Sequence, residues 1–391
     1  MKRSVVITLA VFALAFFAAV GIAYYQQRQI EHIEQSRPSV SGPLTLGVIL
    51  PLSGDAGAVG LPIRRAAELA VSEVNAAGGV RGRPLRLDIR DTRCDAREAV
   101  NAAQTLISVV KVPIIFGGGC SSETLAVAPL AERAQVILFS PSATSPAITD
   151  AGEYVFRNAP SDVHQGRILA EAAIARGYRQ VGILAEETDY AVGIATVFQS
   201  RMKEEGSTTI LVTYSTEATD VQAEVARLTQ AQLQALLIIV QSPAKAALIF
   251  QELYATHVRL PLLVNDVVLG AADVLASYPN ETEGLLGADF DIDEASPAYQ
   301  DFLQRYRAAY KEAPSYPLYA ALSYDAMRLL GDALREAGAV PVALQGYLSK
   351  VANREGVAGT LTLDQDGDSM SSHILKEVLH GKLIPAAAPA P

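Results

Sequence analysis

The chain has 391 residues and a net charge of −10, from 32 basic and 42 acidic side chains. Half of it is hydrophobic, enough for a large core and too much for a disordered chain, and the length predicts about two domains. The negative balance argues against nucleic acid and against docking on anionic lipid, since both need a basic footprint. Two Cys are too few for a disulfide-built scaffold or a four-thiolate zinc site. Ala-rich, aromatic-poor composition without Trp favours a helix-rich α/β protein over an all-β sandwich.

The N-terminal residues set the compartment. Lys2 and Arg3 precede an apolar run over residues 5–23, the pattern of a secretory signal, with Gly21 and Ala23 spaced for cleavage. The run is also about 19 residues long, enough to cross a bilayer as a retained anchor. Either fate of residues 1–25 places the rest outside the cytoplasm, with membrane contact only through this segment if it is kept. No Cys near the end of the run is available for lipid attachment. Residues 26–43 read as a linker and 385–391, made of Pro and Ala alone, as a disordered tail. In an oxidising compartment Cys94 and Cys120 are expected to pair, closing a loop of about 25 residues worth about 3 kcal/mol. A Cys nucleophile would need a neighbouring His, and no His can be placed there from the sequence.

From Leu44 onward strands and helices alternate. Leu44–Leu50 reads as a strand, and a helix follows with Ile63, Ala67, Ala70, Val71 and Val74 on one stripe, stopped at Gly78-Gly79. Residues 85–90 form the next strand. Asp95 and Glu98 then cap a helix, and residues 112–116 and 136–140 are further strands. Strands are predicted again at 180–185, 208–213, 235–240, 260–264 and 284–288. Helices start near Asp220, after Ser242-Pro243, after Ser296-Pro297, and over 319–337. At the end, 357–363 and 374–383 read as two strands joined by a turn at 364–368. Repeated βα units imply parallel sheets covered by helices. Ten or more strands are better divided between two doubly wound lobes than kept in one sheet.

Such sheets bind ligands beyond the C-terminal ends of their strands. One strand runs into Gly117-Gly118-Gly119-Cys120-Ser121-Ser122 before a helix, and the next into Ser140-Pro141-Ser142-Ala143-Thr144-Ser145-Pro146. Glycine permits close backbone approach, and hydroxyls with helix-start N–H groups form a small anion site. With no Lys or Arg adjacent, the pair suits a carboxylate better than a phosphate; ordinary capping and turn chemistry is the competing reading. P-loop, dinucleotide and Gly-x-Ser-x-Gly signatures are absent, and His32, His164, His257, His373 and His380 have no metal-like spacing. Asp364, Asp366 and Asp368 imitate the start of a calcium loop. Ser369 replaces its turn Gly and Leu375 its bidentate Glu, so a tight solvated turn is expected. Asp289, Asp291, Asp293 and Glu294 read as a solvated linker. No metal, cofactor or catalytic residue is predicted.

Five segments, in this order and spacing, carry a resemblance. They are Gly47-Val48-Ile49-Leu50-Pro51-Leu52-Ser53-Gly54, Glu73-Val74-Asn75-Ala76-Ala77-Gly78-Gly79-Val80-Arg81-Gly82, Asp91-Thr92-Arg93-Cys94-Asp95, and the two Ser/Thr-rich loops above. Residues 46–383 resemble the periplasmic leucine/isoleucine/valine-binding proteins, the amino-acid branch of the type I solute-binding fold. The resemblance implies an α/β fold of two doubly wound parallel-sheet lobes, joined by three crossovers, with the ligand in the cleft. Lobe 1 would comprise 44–158 plus 292–355 and lobe 2 159–291 plus 356–384, with crossovers near 158–161, 290–296 and 354–359.

It also implies roles. Ser121 and Thr144 match positions that bind a ligand carboxylate, and Ser142, followed by Ala143 in the same loop, one whose backbone carbonyl accepts from the ligand ammonium. Tyr190 matches an aromatic of the second lobe and Asp266 an acid that pairs with the ammonium. The Cys pair forms a disulfide in that family, as the compartment already requires. Val59 stands where close relatives carry an aromatic residue, and Gln241 and Ser242 replace an aromatic-rich segment. The expected protein is a non-enzymatic, extracytoplasmic monomer that binds an amino acid, of branched-chain type or related, and delivers it to an ABC permease. The alternative is a membrane-anchored sensing domain of the same fold that binds an amino acid, amide or aromatic acid and signals to a partner.

Overall fold

A computed structural model describes residues 42–386. The signal or anchor segment, nearly all of the linker and residues 387–391 lie outside the described residues.

The first sheet consists of β1 (Leu44–Leu50), β2 (Leu85–Asp91), β3 (Ile114–Gly117), β4 (Ile137–Ser140) and β5 (Val155–Arg157). All pairs are parallel, in the order β2-β1-β3-β4-β5. The crossover helices are α1 (Gly57–Ala76), α2 (Ala96–Thr105) and α3 (Ser121–Ala134). The predicted stripe of α1 is buried, and the chain leaves it through Gly78 and Gly79 at φ 97° and 73°. Asp95 caps α2 by accepting from the N–H groups of Arg97 and Glu98. Gly117 at the end of β3 has φ 124°, and a Cβ there would sit 2.0 Å from the Ile49 carbonyl oxygen, so only glycine fits this strand exit.

Beyond β5 the chain forms α4 (Asp162–Ala175), β6 (Gln180–Glu186), α5 (Asp189–Glu204), β7 (Thr208–Tyr214) and α6 (Gln222–Thr229). It continues with β8 (Ala235–Ile239), α7 (Pro243–Ala255), β9 (Leu262–Val264), α8 (Asp266–Gly270), two short helices (Ala272–Ser277 and Pro279–Thr282) and β10 (Leu286–Phe290). Then α9 (Pro297–Tyr310), α10 (Pro317–Ala337) and α11 (Pro341–Leu348) lead to β11 (Arg354–Gly356), β12 (Gly359–Leu361), β13 (His373–Leu379) and β14 (Lys382–Pro385). The second sheet has the order β14-β13-β10-β9-β8-β6-β7, parallel except for the antiparallel β13 and β14.

Apolar packing divides along the same line. One cluster joins the first sheet to α1, α9 and α10 and a smaller one joins it to α2 and α3, while the third fills the second sheet. Two doubly wound lobes are therefore present, as expected.

Several sequence expectations require correction. Residues 357–363 and 374–383 do not pair with each other: β11 and β12 form one hairpin, β13 and β14 another. Val357, Leu361 and Leu363 pack in the first lobe's cluster, so the last passage falls after Leu363, beyond the expected 354–359. Pro385 is the last residue of β14, and the Ala386 N–H donates to the Leu375 carbonyl, so these two residues are not part of a disordered tail. Strand β5 and helices α4 and α11 were not anticipated, being short or only weakly amphipathic.

Asp289 is no solvated linker residue. It is buried in β10, 2.9 Å from Lys376 on β13, and burial pushes its carboxyl up to about 6 despite that cation. The Asp364 turn accepts from the N–H groups of Asp366 and Asp368. Asp368, in contrast, turns inward to a bidentate pair with the fully buried Arg157, which also donates to the Ser145 carbonyl.

Candidate functional site

The site forms where the C-terminal ends of β3 and β4 face those of β6, β8 and β9. On the first lobe two loops are stitched together. Ser140 Oγ donates to the Gly118 carbonyl at 2.8 Å, Ser142 Oγ to the Gly119 carbonyl at 2.9 Å, and Ser121 Oγ accepts from the Ser145 N–H at 3.2 Å. Cys94 and Cys120 are disulfide-bonded across 5.6 Å between Cα atoms, tying the loop after β2 to the start of α3. Glu123 completes this corner by accepting from the Cys120 N–H at 3.0 Å. Burial pushes its carboxyl up to about 7.

On the second lobe Thr188 caps α5 and brings Tyr190 into its first turn. Asn265 caps no helix with its side chain. It donates instead to the Val240 carbonyl and to the Tyr190 hydroxyl. Asp266 is 3 % exposed. Its Oδ1 accepts from the Tyr190 hydroxyl and from Gln165 Nε2, the latter at 2.7 Å, and its Oδ2 from the Tyr319 hydroxyl at 2.5 Å. Burial raises its pKa against the pull of these three donors. Behind it Asp162 is fully buried, and accepts from Thr144 Oγ1 at 2.8 Å. Desolvation and the nearby Asp266 hold the Asp162 carboxyl well above the carboxylate range. The two buried carboxyls are thus coupled, and each is harder to ionise while the other is charged.

Of the six residues singled out from the sequence, Ser121, Ser142 and Tyr190 line one small cavity of about 20 Å³, with Val59, Gln241 and Tyr319. Ala143, Thr144 and Asp266 do not line it. Ala143 is packed in the core of the first lobe, the Thr144 hydroxyl is committed to Asp162, and Asp266 lies behind Tyr190 and Tyr319. Sequence reasoning missed Asp162, Gln165 and Tyr319. The Ser161-Asp162 pair opening α4 was a legible cap signal, whereas Tyr319 is indistinguishable from its apolar neighbours on α10.

Residues 43–363 match the periplasmic binding protein family. The chain belongs to that family. The leucine-, isoleucine-, valine-, threonine- and alanine-binding protein of Pseudomonas aeruginosa is 25% identical, over 90% of this chain and 91% of its own. Among solved structures, the leucine binding protein of Thermotoga maritima superposes with a TM-score of 0.80 at 27% identity, covering 89% of this chain and 99% of its own. The branched-chain amino acid transporter substrate binding protein of Streptococcus pneumoniae, solved with isoleucine, gives 0.78 at 26% identity over 89% and 100% of the two chains. Membership of the periplasmic binding proteins implies an extracytoplasmic location and agrees with the paired Cys. Among the described residues no helix is long and apolar enough to cross a membrane.

Proposed function

We propose that this periplasmic binding protein captures an α-amino acid between its two lobes and delivers it, as a monomer, to an ABC permease. One observation carries the reading: Ser121 and Ser142 on the first lobe share a cavity with Tyr190 on the second, and the Asp266 carboxyl lies directly behind that tyrosine. A carboxylate takes the Ser121 hydroxyl and the amide donors beside it on the first lobe, Thr144 being committed to Asp162. An ammonium supplies the opposite half, donating to the Ser142 carbonyl and displacing a tyrosine hydroxyl from Asp266. A zwitterion therefore makes its full set of contacts only when both lobes surround it, which is the differential affinity that drives closure. The present cavity holds about one water, so the lobes must part to admit a ligand.

A thermal-shift screen against the standard amino acids, simple amides and aromatic acids tests this. A ligand at a hundredfold excess over its Kd adds about 2.7 kcal/mol. Stabilisation by amino acids, with none by amine-free acids of similar shape, is expected; stabilisation by aromatic acids alone overturns the reading. The apolar run of residues 5–23 also supports a tethered sensing role. An intact Met1 in the mature protein would favour it.

A further inference from the structure

The small cavity does not end at its own walls. Ala56 on the first lobe and Gln241 on the second also line a wider chamber of about 860 Å³ at the outer edge of the same gap. Both cavities thus share a methyl group and a flexible amide in their walls, and Val59 also lines the inner one. A ligand head held at Ser121 and Tyr190 has its open direction here.

The chamber is acidic. Asp55, Asp95, Glu186, Glu187, Asp189 and Glu217 line it, against Arg93 and Lys245. Both cations have partners of their own, and although the field of Lys245 reaches Glu186, six acids against two cations leave the chamber negative. Lys245 Nζ lies 3.5 Å from Asp55 and donates to the Ala218 carbonyl at 2.8 Å, and Arg93 lies 3.8 Å from Glu98.

Glu186, at the end of β6, differs from the other acids. It is only 4 % exposed yet lines the chamber. Its Oε2 accepts from the Gln241 N–H at 2.7 Å, while Oε1 has no hydrogen-bond partner and the carboxyl no cation within ion-pair distance among the described residues. Asp55 and Lys245 face it from the two sides of the gap, and Tyr214, its neighbour on β7, contributes a neutral phenol. Burial pushes the Glu186 carboxyl up to about 7. A buried acid with an open oxygen in a negative chamber is completed by a positive charge.

We propose that the ligand is an amino acid with a cationic side chain, of the lysine, ornithine or arginine type, whose charged end passes Ala56 and Gln241 to lie against Glu186. This rests on the amino-acid reading above and names the side-chain class. Binding of such a side chain stabilises the carboxylate, so affinity rises with pH between about 6 and 8 as less proton must be released.

The experiment is calorimetric titration of the full protein with lysine, ornithine, arginine, leucine, isoleucine and glutamate, on wild type and Glu186→Gln. Glutamine keeps an acceptor for the Gln241 N–H, and circular dichroism checks that the variant folds. Binding of the basic amino acids, weakened at least tenfold by Glu186→Gln with loss of the rise between pH 6 and 8, is expected. Tight binding of leucine or isoleucine with none of the basic set overturns the side-chain assignment and leaves the amino-acid reading standing. Unchanged affinity and pH profile for the basic set in the variant overturns the role of Glu186. No binding of any amino acid overturns both readings.

Discussion

The Tyr319 hydroxyl donates to Oδ2 of Asp266 at 2.5 Å, and this bond crosses from a helix packed on the first sheet to the loop end of the second. Tyr316 makes a parallel crossing to the Val267 carbonyl at 3.1 Å. The acidic residue of the candidate site is thus also a fastening point between the lobes. A ligand ammonium reaching Asp266 competes with a bond that holds the two halves together.

Asp266→Ala is expected to abolish binding of amine-bearing ligands, because no other carboxylate touches Tyr190 among the described residues. Tyr319→Phe leaves Asp266 two donors and removes one bond to a buried carboxyl, a loss of about 1–3 kcal/mol. Urea denaturation and ligand titration on both variants measure the two effects. Wild-type affinity in Asp266→Ala would refute its assignment.

Arg157 and Asp368 hold the turn after Leu363 against the Ser140–Pro146 loop. Asp368→Ala strands a buried guanidinium and should cost about 3–5 kcal/mol. The shift in denaturation midpoint tests this. A loss below 1 kcal/mol would mean that water or a rearranged carbonyl replaces the carboxylate.

Reducing the Cys94–Cys120 bond releases a loop spanning a sequence separation of 26. Thermal stability should fall by about 3 kcal/mol in the loop-entropy estimate. Recognition should survive, since the Ser121 and Ser142 contacts are independent of the sulfurs. Two free thiols in protein isolated from the exported fraction would overturn the pairing.

Glu123 has a folded-state pKa of about 7 against an ordinary value of 4.5. Its folded form holds a proton that the unfolded chain has released, so its contribution is complete below pH 4.5 and is lost as pH rises through 7. The change amounts to about 3 kcal/mol. Glu123→Gln keeps an acceptor for the Cys120 N–H and should flatten this dependence, with a larger gain in Tm at pH 8 than at pH 5. Parallel pH–stability curves for both proteins would show that Glu123 does not titrate in this range.

Much of the fold was legible because it is local. The stripe of α1, the caps at Asp95, Ser242 and Ser296, and the apolar cores of β1 and β8 each depend on neighbours a few residues away. The half of the site built on Ser121 and Ser142 was legible for the same reason: it sits on two loops at strand ends. Asp289 misled because its run of acids is locally indistinguishable from a solvated one. Its partner Lys376 arrives on an antiparallel strand 87 residues later.

Composition, periodicity and capping chemistry by themselves determined the βα rhythm and the division into lobes, and the N-terminal pattern pointed to export. Tertiary structure alone decided that Thr144 is committed to Asp162, that Tyr319 and Gln165 enclose Asp266, and that a buried Glu186 opens onto an outer chamber. Local structure follows from short-range sterics and hydrogen bonds written in consecutive residues. The ionisation and partners of a buried acid follow from which distant side chains exclude water from it, and that is settled only when both lobes have packed.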